Sequence, residues 1–270
     1  MGWFLVVRLL LASKSSSGCH APFTSNPKLR VIVNLQTTVS FLLVLGLTAC
    51  SPIQELDEGP INLFNGTDLA GWQNFGGGKF FVEDGTIVGE SAPGLPNSFL
   101  ATEKMYPDFE LEVEFKIHPL LNSGIQIRSN TYAEETTTIR WGGRFKTDGS
   151  RDVRERVWGK GRFWGYQVEI DPTDRNWTGT LYEEGARGFL HNPNEATAPE
   201  GTFKPYEWNH FRIVAKGDRM QTWLNGVAIA DVQDDLTSTG YIALQLHGIG
   251  NNKEKIGKKV SWKNIKLTKL

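Results

Sequence analysis

Two cysteines in 270 residues, Cys19 and Cys50, allow one intrachain disulfide at most. A sustained helical period is missing from every segment, which excludes bundles and coiled coils. So is a basic surplus: 29 Lys and Arg stand against 30 Asp and Glu, a formal charge of −1. Binding that depends on neutralising phosphates is therefore not expected, and nucleic acid is excluded as a partner. H-E-x-x-H, C-x-x-C and G-x-S-x-G are absent, and so is a D-x-D-x-D-G calcium loop. Gly76-Gly77-Gly78 sits in β-patterned sequence with no helix after it, so it does not read as a phosphate loop. No cofactor is expected, and a divalent metal is left open.

Acidic residues are also missing from the first 49 positions, which contain Arg8, Lys14, Lys28 and Arg30 and no Asp or Glu. The rest of the chain then carries 25 basic against 30 acidic residues. This leader ends in the apolar run Val39 to Leu47, too short to span a bilayer but suited to a signal peptide. The run leads into Leu47-Thr48-Ala49-Cys50, which resembles a bacterial lipobox with Cys50 as the lipidated residue. Residues 1–49 are read as the signal peptide, with 1–30 open to being a mis-assigned extension ahead of a start near Val31 or Val33. Cleavage before Cys50 discards Cys19, so the mature protein has no disulfide. Residues 50–60 are short, acidic and bounded by Pro and Gly, as a lipidated tether would be. Ser51 rather than Asp after the cysteine points to the outer membrane, facing the periplasm or the cell surface. The expected partners are a membrane, through the anchor on Cys50, and a carbohydrate.

What the rest contains is period-two alternation. From Phe109 to Ile117 apolar and charged residues alternate over the whole stretch, placing Phe109, Leu111, Val113, Phe115 and Ile117 on one buried strand face. Hairpin turns are predicted at Asp84-Gly85, Gly217-Asp218 and Asn225-Gly226. Further strands are expected at 123–129, 165–171, 179–183, 240–247 and 259–267. Ten to twelve strands over residues 61–270 imply an all-β domain, an antiparallel two-sheet β-sandwich or jelly roll. Residues 130–164 and 184–206 do not fit this meander and read as long loops. The first is rich in Arg and Trp and suits either a solvated flap or a lid over a sugar site. Trp72, Trp208 and Trp223 are expected to be structural.

On three strands the residues opposite the apolar face are unusual for plain surface: Gln126 and Arg128, then Gln167, Glu169 and Asp171, then Gln245 and His247. Tyr182 has the same parity relative to Leu181. If these strands are neighbours, they form one platform. Amides suit bidentate contacts to sugar hydroxyls, so Gln126, Gln167, Asp171, Tyr182 and Gln245 are the expected substrate contacts.

The run of motifs that includes Leu63 to Trp72, Val82 to Gly89, Asn122 to Ile125, Gly165 to Ile170, Trp223 to Gly226 and Leu244 to Gly248 resembles the 3-keto-disaccharide hydrolase domain family, from about residue 60 to 269. The resemblance implies a concanavalin-lectin-like jelly roll, generally secreted, that cleaves glycosides already oxidised at C3. A ketone at C3 acidifies the C2 proton, so the glycosidic bond can break by elimination, with water adding back at C1. That route needs a base at C2, a holder for the enolate oxygen and an acid for the leaving oxygen. Glu169 and His247 are the candidate base and acid, and Arg128, always charged, the candidate holder, a role a metal could also fill. Glu169 and Asp171 lie roughly 6.5 to 7 Å apart by strand rise, which keeps conventional glycoside hydrolysis as a lesser option. The alternative is a non-catalytic lectin-like carbohydrate-binding module on the same platform.

Overall fold

The computed structural model describes residues 59–142, 145, 146, 148–196 and 198–270. Cys19, Cys50 and the rest of the leader and tether up to residue 58 lie outside the described residues. Among the described residues seventeen strands follow one another: β1 (Ile61–Asn62), β2 (Trp72–Phe75), β3 (Lys79–Glu83), β4 (Thr86–Glu90), β5 (Ser98–Tyr106), β6 (Phe109–Ile117), β7 (Ser123–Thr131), β8 (Thr136–Trp141), β9 (Val153–Trp158), β10 (Phe163–Ile170), β11 (Leu181–Glu184), β12 (Gly188–Phe189), β13 (Asn209–Lys216), β14 (Arg219–Leu224), β15 (Val227–Gln233), β16 (Gly240–Leu246) and β17 (Lys259–Lys269). The only described helical turns are two short 3-10 turns, Pro193–Glu195 and Lys253–Lys255.

The strands form two antiparallel sheets. One runs β15-β14-β13-β6-β17-β4-β3, with β1 also on β17; the other runs β12-β11-β10-β7-β16-β5-β2. A separate two-stranded sheet pairs β8 with β9. The alternation of β6 puts Phe109, Leu111, Val113, Phe115 and Ile117 at 0 to 1% exposure. They pack with Phe211 and Ile213 of β13 and Trp262 and Leu267 of β17 against Ile125, Val168, Ile170 and Leu244 of the second sheet. Each such side chain contributes roughly 1.5 to 3 kcal/mol when fully buried. Trp262 and Ile265 both face inward although three positions apart, because the register shifts between Lys263 and Lys266, where Asn264 has a φ of 49°. Asp84 and Gly85, like Asn225 and Gly226, all have positive φ, as a two-residue I′ turn demands.

Three expectations are corrected. Residues 130–164 are not a structureless loop: Thr136–Trp141 and Val153–Trp158 pair as a hairpin in an alternating pattern hidden by its exposed valines and arginines. The 184–206 stretch carries β12 and a 3-10 turn. Trp72 is buried, its indole N–H donating to the Leu63 carbonyl at 2.9 Å. Trp208 and Trp223 are only half-buried. Trp223 lies beneath the Arg212 guanidinium at 4.3 Å, and Trp208 beneath Lys116 and Lys263, so both act as platforms for cations rather than as core.

The second sheet is covered on its outer face too. In β7 every residue from Ser123 to Ser129 is buried, on both parities, and β10 is buried throughout from Gly165 to Ile170. A small cluster of Phe99, Ala101, Phe163 and Ala243 covers part of that outer face. Beside it lies a groove.

Candidate active site

The groove has a volume of about 550 Å³, inside the ~300 to 1,000 Å³ span of small-ligand sites. Gln167, Glu169, Tyr182, Glu184 and Gln245 from β10, β11 and β16 line it, together with Asp171 just past β10. Other lining residues come from the β8–β9 hairpin, which supplies Arg140, Arg156 and Trp158, and from the loops holding Asn122, Arg162, Trp177 and His247.

Alternation on β10 sends Tyr166, Val168 and Ile170 into the core and Gln167 and Glu169 to the opposite face. Glu169 is 7% exposed. Its Oε1 accepts from Asn122 Nδ2 at 2.6 Å and its Oε2 from Gln167 Nε2 at 2.7 Å. Burial pushes its carboxyl up to about 7, with the charges of Asp171 and Glu184 adding to the rise and the two amide donors opposing it. Gln167 is fixed in turn, its Oε1 accepting from Gln126 and from Gln245 Nε2, the latter at 2.8 Å. Ser129 Oγ donates to Gln126 Oε1 at 2.9 Å, so a row of amides ends on the carboxylate. The Oε1 of Gln245 is buried on the groove floor with no partner among the described residues, an acceptor waiting for a hydroxyl.

Tyr182 stands directly across from Gln167, and its hydroxyl accepts from Arg140 at 2.6 Å. Burial pushes that phenol up, so it keeps its proton at neutral pH. Its hydrogen remains available to a ligand because its oxygen already accepts. Glu169 is the diagonal neighbour of Tyr182 on one face, a relation that puts side chains roughly 7 Å apart. Asp171 Oδ1 accepts from Thr173 Oγ1 at 2.7 Å, and its Oδ2 lies 2.8 Å from Arg175. Glu184 accepts from Asn97 Nδ2 at 3.2 Å and pairs with Arg162. His247 is exposed at the rim, with Nδ1 at 2.8 Å from the Gly248 carbonyl. A carbonyl only accepts, so Nδ1 carries the proton and Nε2 is open.

Two of the expected site residues lie elsewhere. Gln126 is fully buried behind Gln167 and does not line the groove. Arg128 points to a different part of the molecule altogether. Its Nε donates to the Pro107 carbonyl, NH1 to the Gly217 carbonyl and NH2 to Asp108, all at 2.6 to 2.7 Å. Parity fails because Arg128 sits in a bulge with a φ of 45°, where β7 shifts register against both β10 and β16. The signal lies on the neighbouring strands. Gly240 has no room for a Cβ, which would meet the Arg128 carbonyl carbon at 2.3 Å, and one on Gly165 would meet Ser129 Oγ at 2.5 Å. Asn122 and Glu184 are site residues that the sequence reading missed. Asn122 lay inside a quoted motif, and Glu184 is one pleat beyond Tyr182.

Among the described residues no group of three or more His, Cys, Asp or Glu stands close enough to hold a metal ion. Oxygen atoms that could contact a cation are those of Glu169 and Asp171 and the open Gln245 Oε1.

A family model, described as a 3-keto-alpha-glucoside-1,2-lyase-like domain, matches residues 59–268, which includes every described groove residue. The chain belongs to that family. A candidate glycosyl hydrolase from Parabacteroides distasonis is 23% identical, with 79% of this chain and 94% of that one covered at a TM-score of 0.48. The carbohydrate-binding module CBM66 from Bacillus subtilis is 16% identical over 72% and 93%, at 0.47. A Bacillus subtilis protein with a galectin-like fold is 11% identical over 73% and 89%, at 0.44. No curated protein matches the chain.

Proposed function

We propose that this protein cleaves 3-keto-glycosides by elimination and hydration, with Glu169 as the group that moves the C2 proton. The observation that carries the reading is Glu169 itself: a buried carboxyl on the floor of a groove, held by two amide donors and pushed up to about 7. A general base works best with a pKa near the operating pH. Glu169 takes the proton from C2, and the electron pair of that C–H bond passes to the C3 carbonyl as an enolate; the C3 carbonyl then re-forms, its electrons making the C1–C2 double bond as the C1–O bond breaks. The leaving oxygen takes the Nε2 proton of a doubly protonated His247, whose Nδ1–H stays on the Gly248 carbonyl. Water then adds across the double bond and restores the 3-keto sugar.

With Arg128 outside the groove, the enolate oxygen needs another holder. The Tyr182 hydroxyl, with Arg140 behind it, has the chemistry: a phenol proton free to donate, made more acidic toward its partner by an adjacent cation. Trp177 and Phe189, both half-buried, line the groove and offer apolar surface to a sugar ring.

The test is incubation with 3-keto-trehalose and a 3-keto-glucoside and measurement of released sugar. Wild type should release sugar, and Glu169→Gln should lose roughly 10²-fold or more in turnover while still binding, since a proton-transferring group contributes ~10² to 10⁴. Full activity in Glu169→Gln, or binding without any release by wild type, would put the lectin-like module ahead.

A further inference from the structure

The described residues lining the groove include five cationic side chains, Arg140, Arg156, Arg162, Arg175 and Lys255, against three acidic ones, Glu169, Asp171 and Glu184. The acidic side is weaker than the count, since Glu169 is half protonated near neutrality. Yet beyond residue 49 the chain has five more acidic than basic residues, so a groove with surplus positive charge runs against the chain's own balance. Two of the cations are already answered: Arg162 by Glu184 and Arg175 by Asp171. Arg140 leans on a phenol and a carbonyl, both neutral.

Arg156 and Lys255 have no carboxylate partner among the described residues. The Arg156 guanidinium lies 4.4 Å from the centre of the Trp158 ring. That indole is itself fixed, 8% exposed with its N–H donating to Thr138 Oγ1 at 2.8 Å. A guanidinium stacked on a fixed ring loses little freedom when its planar fork meets an oxyanion. Lys255 comes from a separate loop, the 3-10 turn Lys253–Lys255, whose last carbonyl accepts from Ser91 Oγ. Neutral hydroxyls need no such unpaired charges, and the enolate is a transient charge already served by Tyr182 and Arg140.

We infer that the groove selects sugars bearing a permanent oxyanion, a uronate carboxylate or a sulfate ester, held by Arg156 and Lys255. The inference rests on the groove being the sugar site proposed above but not on the sugar being cleaved there. The experiment is calorimetric titration of the full chain with methyl α-glucoside, methyl α-glucuronide and methyl α-glucoside 6-sulfate. At least one charged sugar should bind about ten-fold tighter than the neutral one at low salt, as one charge-assisted hydrogen bond would give. The preference should shrink as sodium chloride is raised. Arg156→Gln and Lys255→Gln should each reduce it while leaving affinity for the neutral sugar unchanged, and the tighter of the two charged sugars names the oxyanion. Equal affinities for all three sugars, or a preference that survives both substitutions, would overturn the inference, and so would no binding of any sugar. A charge preference that persists in a protein unable to cleave 3-keto-glycosides would instead sink only the cleavage reading.

Discussion

Glu169 ties stability to pH in a direction opposite to that of a salt-bridged carboxylate. Its folded-state pKa is raised from 4.5 to about 7, so the folded protein binds this proton more tightly than the unfolded chain does. The stability contributed by Glu169 is present below about pH 4.5 and is lost as pH rises through about 7, on the order of 3 kcal/mol in all. The denaturation midpoint of wild type should therefore fall between mildly acidic and mildly basic pH, and Glu169→Gln should flatten that part of the curve. A midpoint for Glu169→Gln that falls as steeply as wild type's would place the titrating group elsewhere. Gly124 reaches the same carboxyl through packing. A Cβ there would meet Gln167 Cγ at 2.5 Å, Cδ at 2.6 Å and Nε2 at 2.8 Å, the amide end that Gln126, Gln245 and Glu169 hold in place. Gly124→Ala should displace the Gln167 amide from Glu169, lowering kcat more than it raises KM and shifting the pH profile of kcat/KM. An unchanged pH profile would show Gly124 to be no more than a packing position. Of the site, the sequence made Gln167, Glu169, Asp171, Tyr182, Gln245 and His247 legible through parity alone. It could not show Asn122, because a loop residue has no alternation to read, whereas Glu184 shares the parity of Tyr182 at the end of β11 and was there to be read.

At the level of elements, alternation located β6 to the residue because one face is core and the other water. It failed on β8 and β9, whose Ile139, Val153 and Val157 are more than half exposed, so that no buried face marks the period. It failed again at the β7 bulge, where one extra residue reverses the face. That bulge makes Arg128 a clamp: a 0% exposed side chain joining β7 to the Pro107-Asp108 turn between β5 and β6 and to Gly217 between β13 and β14. Arg128→Met leaves two carbonyls without their donor and should cost about 2 to 4 kcal/mol. Its folded fraction should retain wild-type kcat/KM, because nothing in the groove touches Arg128. A large loss of kcat/KM at an unchanged melting temperature would return Arg128 to the chemistry.

For the whole molecule, we propose that residues 1–49 are a signal peptide and Cys50 a lipid anchor, which would set where the groove works. If Cys50 carries the lipid, Cys50→Ala should leave the protein uncleaved or soluble, read by fractionation and by the mass of the mature N-terminus. Recovery of Cys50→Ala in the outer-membrane fraction would remove the anchor. The placement of the site in the domain has a mechanical side. Strand β10 turns Tyr166, Val168 and Ile170 to the core and Gln167 and Glu169 to the groove, so chemistry and cohesion occupy alternate teeth of one comb. Strands whose residues are buried on both faces, as along β7 and β10, are among the last parts of a protein to open. The floor is then an anvil, and the play needed to admit and release a ligand falls to the hairpin and loops around it. In deuterium exchange, β7, β10 and β16 should stay dark for the longest times whether or not ligand is present, while the amides that slow on binding lie in β8, β9 and the loop after β16.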